Sequence, residues 1–350
     1  MIWTDLRGHQ PQVDMFRRAI ARGRTAHAFL FLGPSGIGKR LVARKLTQAL
    51  FCQQTDDSDL EACGQCSACR QVLAGTHPDL LTVGCPEGKR ELPIGLIAGE
   101  KERRGKEGLC HDLSLRPMSA GRRIAIIDDA DKMNEESANA LLKTLEEPPS
   151  GSILFLISPS IDALLPTIRS RCQPLLFSPL SETDLSDLII SLEWSADRTA
   201  ALEIARLSDG SLDTAKQLID PNLRQLRTVI NTLLSQRDFN AVAAFDQAQQ
   251  ALDELGGDTG TQRHNANWLV RFAVEYFRRL LQEVNSETAP RPAFAGLYRA
   301  EEPRGATYLA DALERCIAAE TDLKQSMPVP LCLETLFSDL SQLSRGRVLI

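Results

Sequence analysis

The stretch Phe29-Leu30-Phe31-Leu32-Gly33-Pro34-Ser35-Gly36-Ile37-Gly38-Lys39-Arg40 constrains this chain more than any other. An apolar run breaks into a glycine-rich turn, and the turn leads into Leu41-Val42-Ala43-Arg44-Lys45-Leu46, which reads as a helix. Strand, loop and helix in that order are the setting of a phosphate-binding loop. The glycines let backbone N–H groups wrap an anion, the helix N-terminus adds its dipole, and Lys39 adds a point charge. The pattern G-x-x-x-x-G-K is complete from Gly33 to Lys39. A Ser or Thr hydroxyl should follow to hold magnesium, and Arg40 stands there instead, with no oxygen to offer a cation. Gly33, Gly36, Gly38 and Lys39 are thus candidate nucleotide-binding residues of a degenerate site in which ATP binding is doubtful; an ordinary tight turn is the plainer alternative.

The second landmark is Arg123-Ile124-Ala125-Ile126-Ile127-Asp128-Asp129-Ala130-Asp131. Four apolar residues in a row predict a strand buried on both faces of a parallel sheet, and ligands of such sheets bind at the C-terminal strand ends, where Asp128 falls. In a nucleotide hydrolase Asp128 would hold magnesium through water and the next residue would polarise the attacking water. That residue is Asp129, one methylene shorter than the usual Glu. A capping cluster at a strand end is the alternative.

Between the two landmarks lie Cys52 and Cys63-Gly64-Gln65-Cys66-Ser67-Ala68-Cys69. Cys52, Cys63, Cys66 and Cys69 supply the four thiolates that a closed structural zinc site needs, with no position left open for substrate. An iron–sulfur run would want a further cysteine and then Pro, where Leu73 and Ala74 stand. Free thiols or a redox pair remain alternatives to Zn2+. Cys85 and Cys110 have no ligand spacing and read as bystanders.

At 350 residues the chain is long enough for two or three domains. No apolar run reaches bilayer length and Met1-Ile2-Trp3-Thr4-Asp5 has no signal-peptide core, so a cytoplasmic location with no membrane partner is expected. A net charge of −6 opposes a protein that grips nucleic acid alone and non-specifically. Residues 4–24 carry an amphipathic pattern through Val13, Phe16 and Ile20, and Leu80-Leu81-Thr82-Val83 reads as a buried strand preceded by a turn at His77-Pro78-Asp79. Residues 84–110 read as an exposed helix or loop. Asn134 caps a helix from Glu135 to Glu147, Ile153 to Ser158 is another buried strand, and Leu175-Leu176-Phe177 is a last short one. Alternation of strands and helices predicts an α/β domain over residues 1–178, with the cysteine insertion at about 52–75. A helical unit follows over 179–220, and an all-helical domain over 221–350 carries the stripe Leu269, Phe272, Tyr276 and Leu280 and a proline-containing linker at 289–292.

These motifs together resemble the clamp-loader branch of the AAA+ proteins, in the bacterial DNA polymerase III assembly. The resemblance covers about residues 1–215 and rests on Ala26 to Phe31, the phosphate loop, the cysteine insertion and His77-Pro78-Asp79. It continues through Ile127 to Asp131, Asn139-Ala140-Leu141-Leu142-Lys143-Thr144-Leu145-Glu146-Glu147-Pro148-Pro149 and Leu165-Pro166-Thr167-Ile168-Arg169-Ser170-Arg171-Cys172-Gln173. It implies a RecA-like AAA+ core with a parallel sheet, a small helical lid and a helical collar. It also implies a pentameric ring with gamma/tau motor and delta subunits that loads a sliding clamp on primed DNA during DNA replication, within the DNA-directed DNA polymerase holoenzyme. By the same resemblance Arg171 is delivered in trans to a neighbour's ATP; a local salt bridge is the alternative. Arg40, Asp129 and Asp213, which stands where motor members carry a lid arginine, depart from the motor pattern together. A non-hydrolysing subunit is therefore expected, and a catalytically active ATPase of the gamma/tau type is the competing reading.

Overall fold

The computed structural model describes residues 2–23, 25–86, 89, 91–236, 239–285, 305–325 and 327–344. The linker expected at 289–292 lies outside them. By compactness the chain divides into two units, Met1–Ala215 and Lys216–Ile350.

In the first unit the elements run α1 (Gln10–Ala21), β1 (Ala28–Leu32), α2 (Lys39–Phe51), α3 (Ser67–Ala74), β2 (Leu80–Val83), α4 (Ile94–Ala98), α5 (Leu109–Ser114), β3 (Ile124–Ile127), α6 (Glu135–Glu146), β4 (Ile153–Ser158), α7 (Pro166–Arg169), β5 (Gln173–Leu176), α8 (Glu182–Ser191) and α9 (Arg198–Leu207). The next helix, α10 (Leu212–Leu218), crosses the division between the units. The five strands form one sheet in the order β2-β3-β4-β1-β5, all parallel. This is the α/β core expected of an AAA+ protein. β1, β3 and β4 are buried at every residue, which is what unbroken apolar runs require.

Two apolar layers sandwich the sheet. On one face Phe16 of α1 packs on Phe29 (ring centroids 4.5 Å apart), with Phe31 and Phe155 around it and Val42, Leu46 and Phe51 from α2. On the other, Leu30, Ala125, Ile127, Leu154 and Leu156 meet Leu141 and Leu145 of α6. This second layer also takes in Leu92, Ile97, Leu109 and Leu113. The segment expected to be exposed over 84–110 thus contributes α4 and α5 to the core; each has six residues or fewer, too short for a helical period to show. The first helix likewise starts at Gln10 rather than residue 4, because Pro11 occupies its first turn and Gly8 turns the chain with φ +76°.

The last strand is an edge. Phe177 N–H donates to Leu32 O (2.7 Å), Pro174 lies two strand positions before Leu176, and Gln12 Nε2 donates to Leu176 O (2.6 Å). After it, α8 is capped by Ser181, whose oxygen accepts from Asp184 N–H (3.0 Å), and α9 by Asp197. Leu180, Leu185, Ile189, Ala201, Ala205 and Ala215 make a separate small core among these helices.

The second unit contains α11 (Pro221–Leu234), α12 (Ala241–Glu254), α13 (Thr259–Asn285), α14 (Gly305–Lys324) and α15 (Val329–Ser344). Leu269, Phe272, Tyr276 and Leu280 are buried in it, with Ala273 and Phe277 beside them, so the stripe is core. No helix of the described residues is long and apolar enough to cross a membrane.

Candidate nucleotide site and metal centre

The phosphate loop leaves β1 at the C-terminal edge of the sheet, beside the ends of β3 and β4, and opens onto a cavity of about 470 Å³. Its glycines are needed where the chain is crowded. A side chain on Gly33 would strike the Phe177 carbonyl oxygen, and one on Gly36, at φ +75°, would strike Ser211 Oγ and the side chain of Asp213. Leu212 N–H donates to Gly36 O (2.8 Å), so the residues that open α10 are stitched to the tip of the loop.

The cationic groups of the loop are engaged internally. Lys39 is 6% exposed, and its Nζ donates to Gly33 O (2.5 Å) and Pro34 O (2.6 Å). Burial pulls its pKa below the ordinary value, while Asp128, Asp131 and Asp213 pull it upward. Arg40 reaches across to Asp128, with Nη1 3.3 Å from Oδ2. Burial raises the Asp128 carboxyl above the usual range, Arg40 lowers it and Asp129 raises it further. Asp129 adopts φ +53° and pairs with Lys132 at 3.2 Å. The site residues read from sequence, Gly33, Gly36, Gly38, Lys39 and Asp128, therefore do converge, but a guanidinium lies against the carboxylate that would steady a magnesium ion.

Sequence reasoning missed His9. It is buried against the loop, donates from Nε2 to Ile37 O (2.5 Å) and packs edge-on to Phe177 at 5.1 Å. A lone histidine before a helix gives no signal for that. Asp79 was also undervalued. Its carboxylate accepts from Met118 N–H (2.7 Å), Ser119 N–H (2.8 Å), Ala120 N–H (2.8 Å) and the Ser119 hydroxyl (3.2 Å). Burial pushes this carboxyl up and those donors more than offset it, so it sits below its ordinary value. His77 does mark the entry to β2: its ring stacks on Phe51 (4.3 Å), and Asp79 N–H donates to its Nδ1 (3.2 Å).

Arg171 is not among the residues lining the cavity. It lies between α7 and β5, one-third exposed, and pairs with Glu146 at the end of α6. Its neighbour Cys172 is buried, which pushes that thiol up to about 12.

The cysteine cluster forms as the spacing predicts. The sulfurs of Cys52, Cys63, Cys66 and Cys69 all lie within 4.8 Å of one another. Four thiolates around a tetrahedral ion at about 2.3 Å need sulfur–sulfur edges of about 3.8 Å, so this donor set can hold a metal after a small contraction. Backbone N–H groups of Cys63, Cys66 and Cys69 donate to the sulfurs of Cys52, Cys63 and Cys66 at 3.3–3.4 Å. Burial pushes the Cys52 thiol up, but Thr55 and the backbone around it win and bring it down to about 6; Cys66 is also lowered and Cys69 raised. Cys85 and Cys110 lie outside the cluster.

Residues 8–181 match the family model described as "DNA polymerase III, delta subunit". Among curated relatives, DNA polymerase III subunit delta' of Pseudomonas aeruginosa is 34% identical over 215 residues, covering 60% of this chain and 60% of its own. The subunit of the same name from Escherichia coli is 31% identical over 221 residues, covering 63% of each. These matches thus span less than two thirds of the relatives' length. The structure of a DNA polymerase III gamma subunit-related protein from Thermotoga maritima aligns over 95% of this chain and 100% of its own with 18% identity and a TM-score of 0.45. Through residues 8–181, this chain therefore resembles the DNA polymerase III delta-prime subunits.

Proposed function

We propose that this chain is a non-hydrolysing delta-prime-type subunit of a clamp-loader assembly, which completes a neighbour's ATP site with Arg171 and leaves its own cradle idle. The observation that carries this reading is the Arg40–Asp128 pair: one cation of the chain's own occupies the aspartate that a hydrolase reserves for magnesium. Lys39 tied to loop carbonyls, Asp129 in place of a Glu, and Asp213 against Gly36 act in the same direction. Each removes a group that phosphoryl transfer uses, to stabilise charge or to activate water, and losing even one such group costs powers of ten in rate. The domains of this reading are a core over 1–178, a lid over 179–220 and an oligomerising collar over 221–350. The partners are gamma/tau and delta subunits in a five-membered ring, with the sliding clamp and primed DNA reached through it. The metal is a single structural Zn2+ held by Cys52, Cys63, Cys66 and Cys69, which would tie the insertion together without taking part in chemistry.

The competing reading, an ATPase in its own right, draws on the intact run Gly33 to Lys39 and on a tau subunit of Salmonella typhimurium that is 29% identical over 223 residues. Turnover measurements separate the two. The isolated chain should hydrolyse no ATP; steady hydrolysis abolished by Lys39→Ala would establish the competing reading. In a ring reconstituted with motor and delta subunits, Arg171→Ala should leave assembly intact and slow the one site it serves by about 10³–10⁵, so that the ring loses that site's share of DNA-stimulated turnover. Unchanged turnover would discard the trans arginine.

A further inference from the structure

The guanidinium of Arg171 is held on three sides. Nη1 donates to Thr167 O (3.0 Å) and to Ser170 Oγ (3.3 Å), and Nη2 donates to Glu146 Oε1 (2.5 Å). The first two acceptors belong to the same turn as Arg171 and would move with it. Glu146 does not: it is the last residue of α6, 25 positions away in sequence. The two side chains keep 34% and 49% of their exposure, so the pair lies where another anion could reach it. A carboxylate at the C-terminal end of a helix also opposes the helix dipole, which favours a cation beside it.

We propose that Glu146 is a positioning residue that holds Arg171 back on its own chain, in competition with the phosphate of the neighbour's nucleotide. The proposal rests on the reading of Arg171 as a trans arginine. A guanidinium grips phosphate best through two parallel N–H donors. With Nη1 directed at Thr167 and Ser170, an end-on two-point grip through Nη1 and Nη2 requires one of these bonds to break, and Glu146 holds one of the two Nη2 donors, the nitrogen that an end-on and a side-on grip both use. The carboxylate also neutralises the charge that the phosphate would attract. An exposed carboxylate–guanidinium pair is weak, so the restraint yields once a nucleotide is in place. Glu146 therefore acts as a counterweight: it keeps Arg171 occupied in the lone subunit and releases it on docking against a nucleotide-bearing face.

The test uses the full chain in the reconstituted ring and compares wild type, Glu146→Gln, Arg171→Ala and the double variant. Steady-state ATP turnover is measured across ATP concentrations, after each variant has been shown to enter the ring by size-exclusion chromatography. Glu146→Gln should raise kcat about two- to fivefold, the range a weak exposed pair can supply, with KM unchanged. In the Arg171→Ala background the same change should do nothing. A kcat that stays level or falls in Glu146→Gln, while Arg171→Ala still slows the ring, overturns the restraint and leaves the trans arginine standing. A gain that persists without Arg171 overturns the restraint as well, because Glu146 would then act through some other group. If Arg171→Ala has no effect on turnover, the trans arginine falls first and the restraint falls with it.

Discussion

The cysteine cluster and the phosphate loop sit on the two ends of α2, and they treat their donor atoms in opposite ways. At the C-terminal end, four sulfurs face one another within 4.8 Å, and backbone N–H groups donate to those of Cys52, Cys63 and Cys66, which favours the thiolate that a metal binds. At the N-terminal end, Lys39 is tied to Gly33 and Pro34, and Arg40 to Asp128. One site holds its ligands ready and the other satisfies itself from within. A motif match therefore gives the donor types present, while the partners those donors already hold decide whether a ligand can compete.

Removing the metal should break this contrast most severely. Structural zinc sites contribute on the order of 10 kcal/mol to local folding, so chelation, or Cys63→Ser with Cys66→Ser, should release residues 52–75 while the sheet survives. Hydrogen exchange should show protection lost across α3 alone, and metal analysis should give one zinc per wild-type chain. No zinc, or no change in exchange on chelation, would leave the two ends of α2 alike. A smaller effect is expected from Lys39→Ala, which leaves two carbonyl oxygens without their charged donor and should cost about 1–3 kcal/mol in thermal unfolding. Nucleotide affinity should not change; a loss of nucleotide binding at unaltered stability would show that the lysine serves phosphate. The smallest effect belongs to Arg40→Ser. Freeing Asp128 from a half-exposed pair should let a magnesium-dependent component of nucleotide binding appear, worth about fivefold, in titration calorimetry with and without magnesium. If binding is the same under both conditions, Arg40 is not what keeps the cation out.

Much of this was legible in the residues. Ile124 to Ile127 and Ile153 to Ser158 read as buried strands because nothing polar interrupts them, and Asn134 read as a cap because a short side chain before a helical run has one common use. The four ligands of the cluster could be read for a similar reason: local spacing brings three of the thiols together. What failed to show was set by distance along the chain. Asp213 against Gly36 and Glu146 beside Arg171 join residues 25 or more positions apart, and no local pattern encodes such a meeting. The segment over 84–110 failed differently, since Ile97 and Leu109 enter the core from helices too brief to carry a period. The Arg40–Asp128 pair was within reach, because a base in the metal-binding position and an acid at the end of β3 are complementary on their face.

Pro174 has one more effect. Phe177 turns its N–H toward β1, so by alternation Pro174 and Leu176 face away from the sheet, and that outer side has only one amide hydrogen left between them. Gln12 covers the Leu176 carbonyl on the same side. A stray extended peptide would find too few rungs there to lengthen the ladder, so the border next to Arg171 resists clumping.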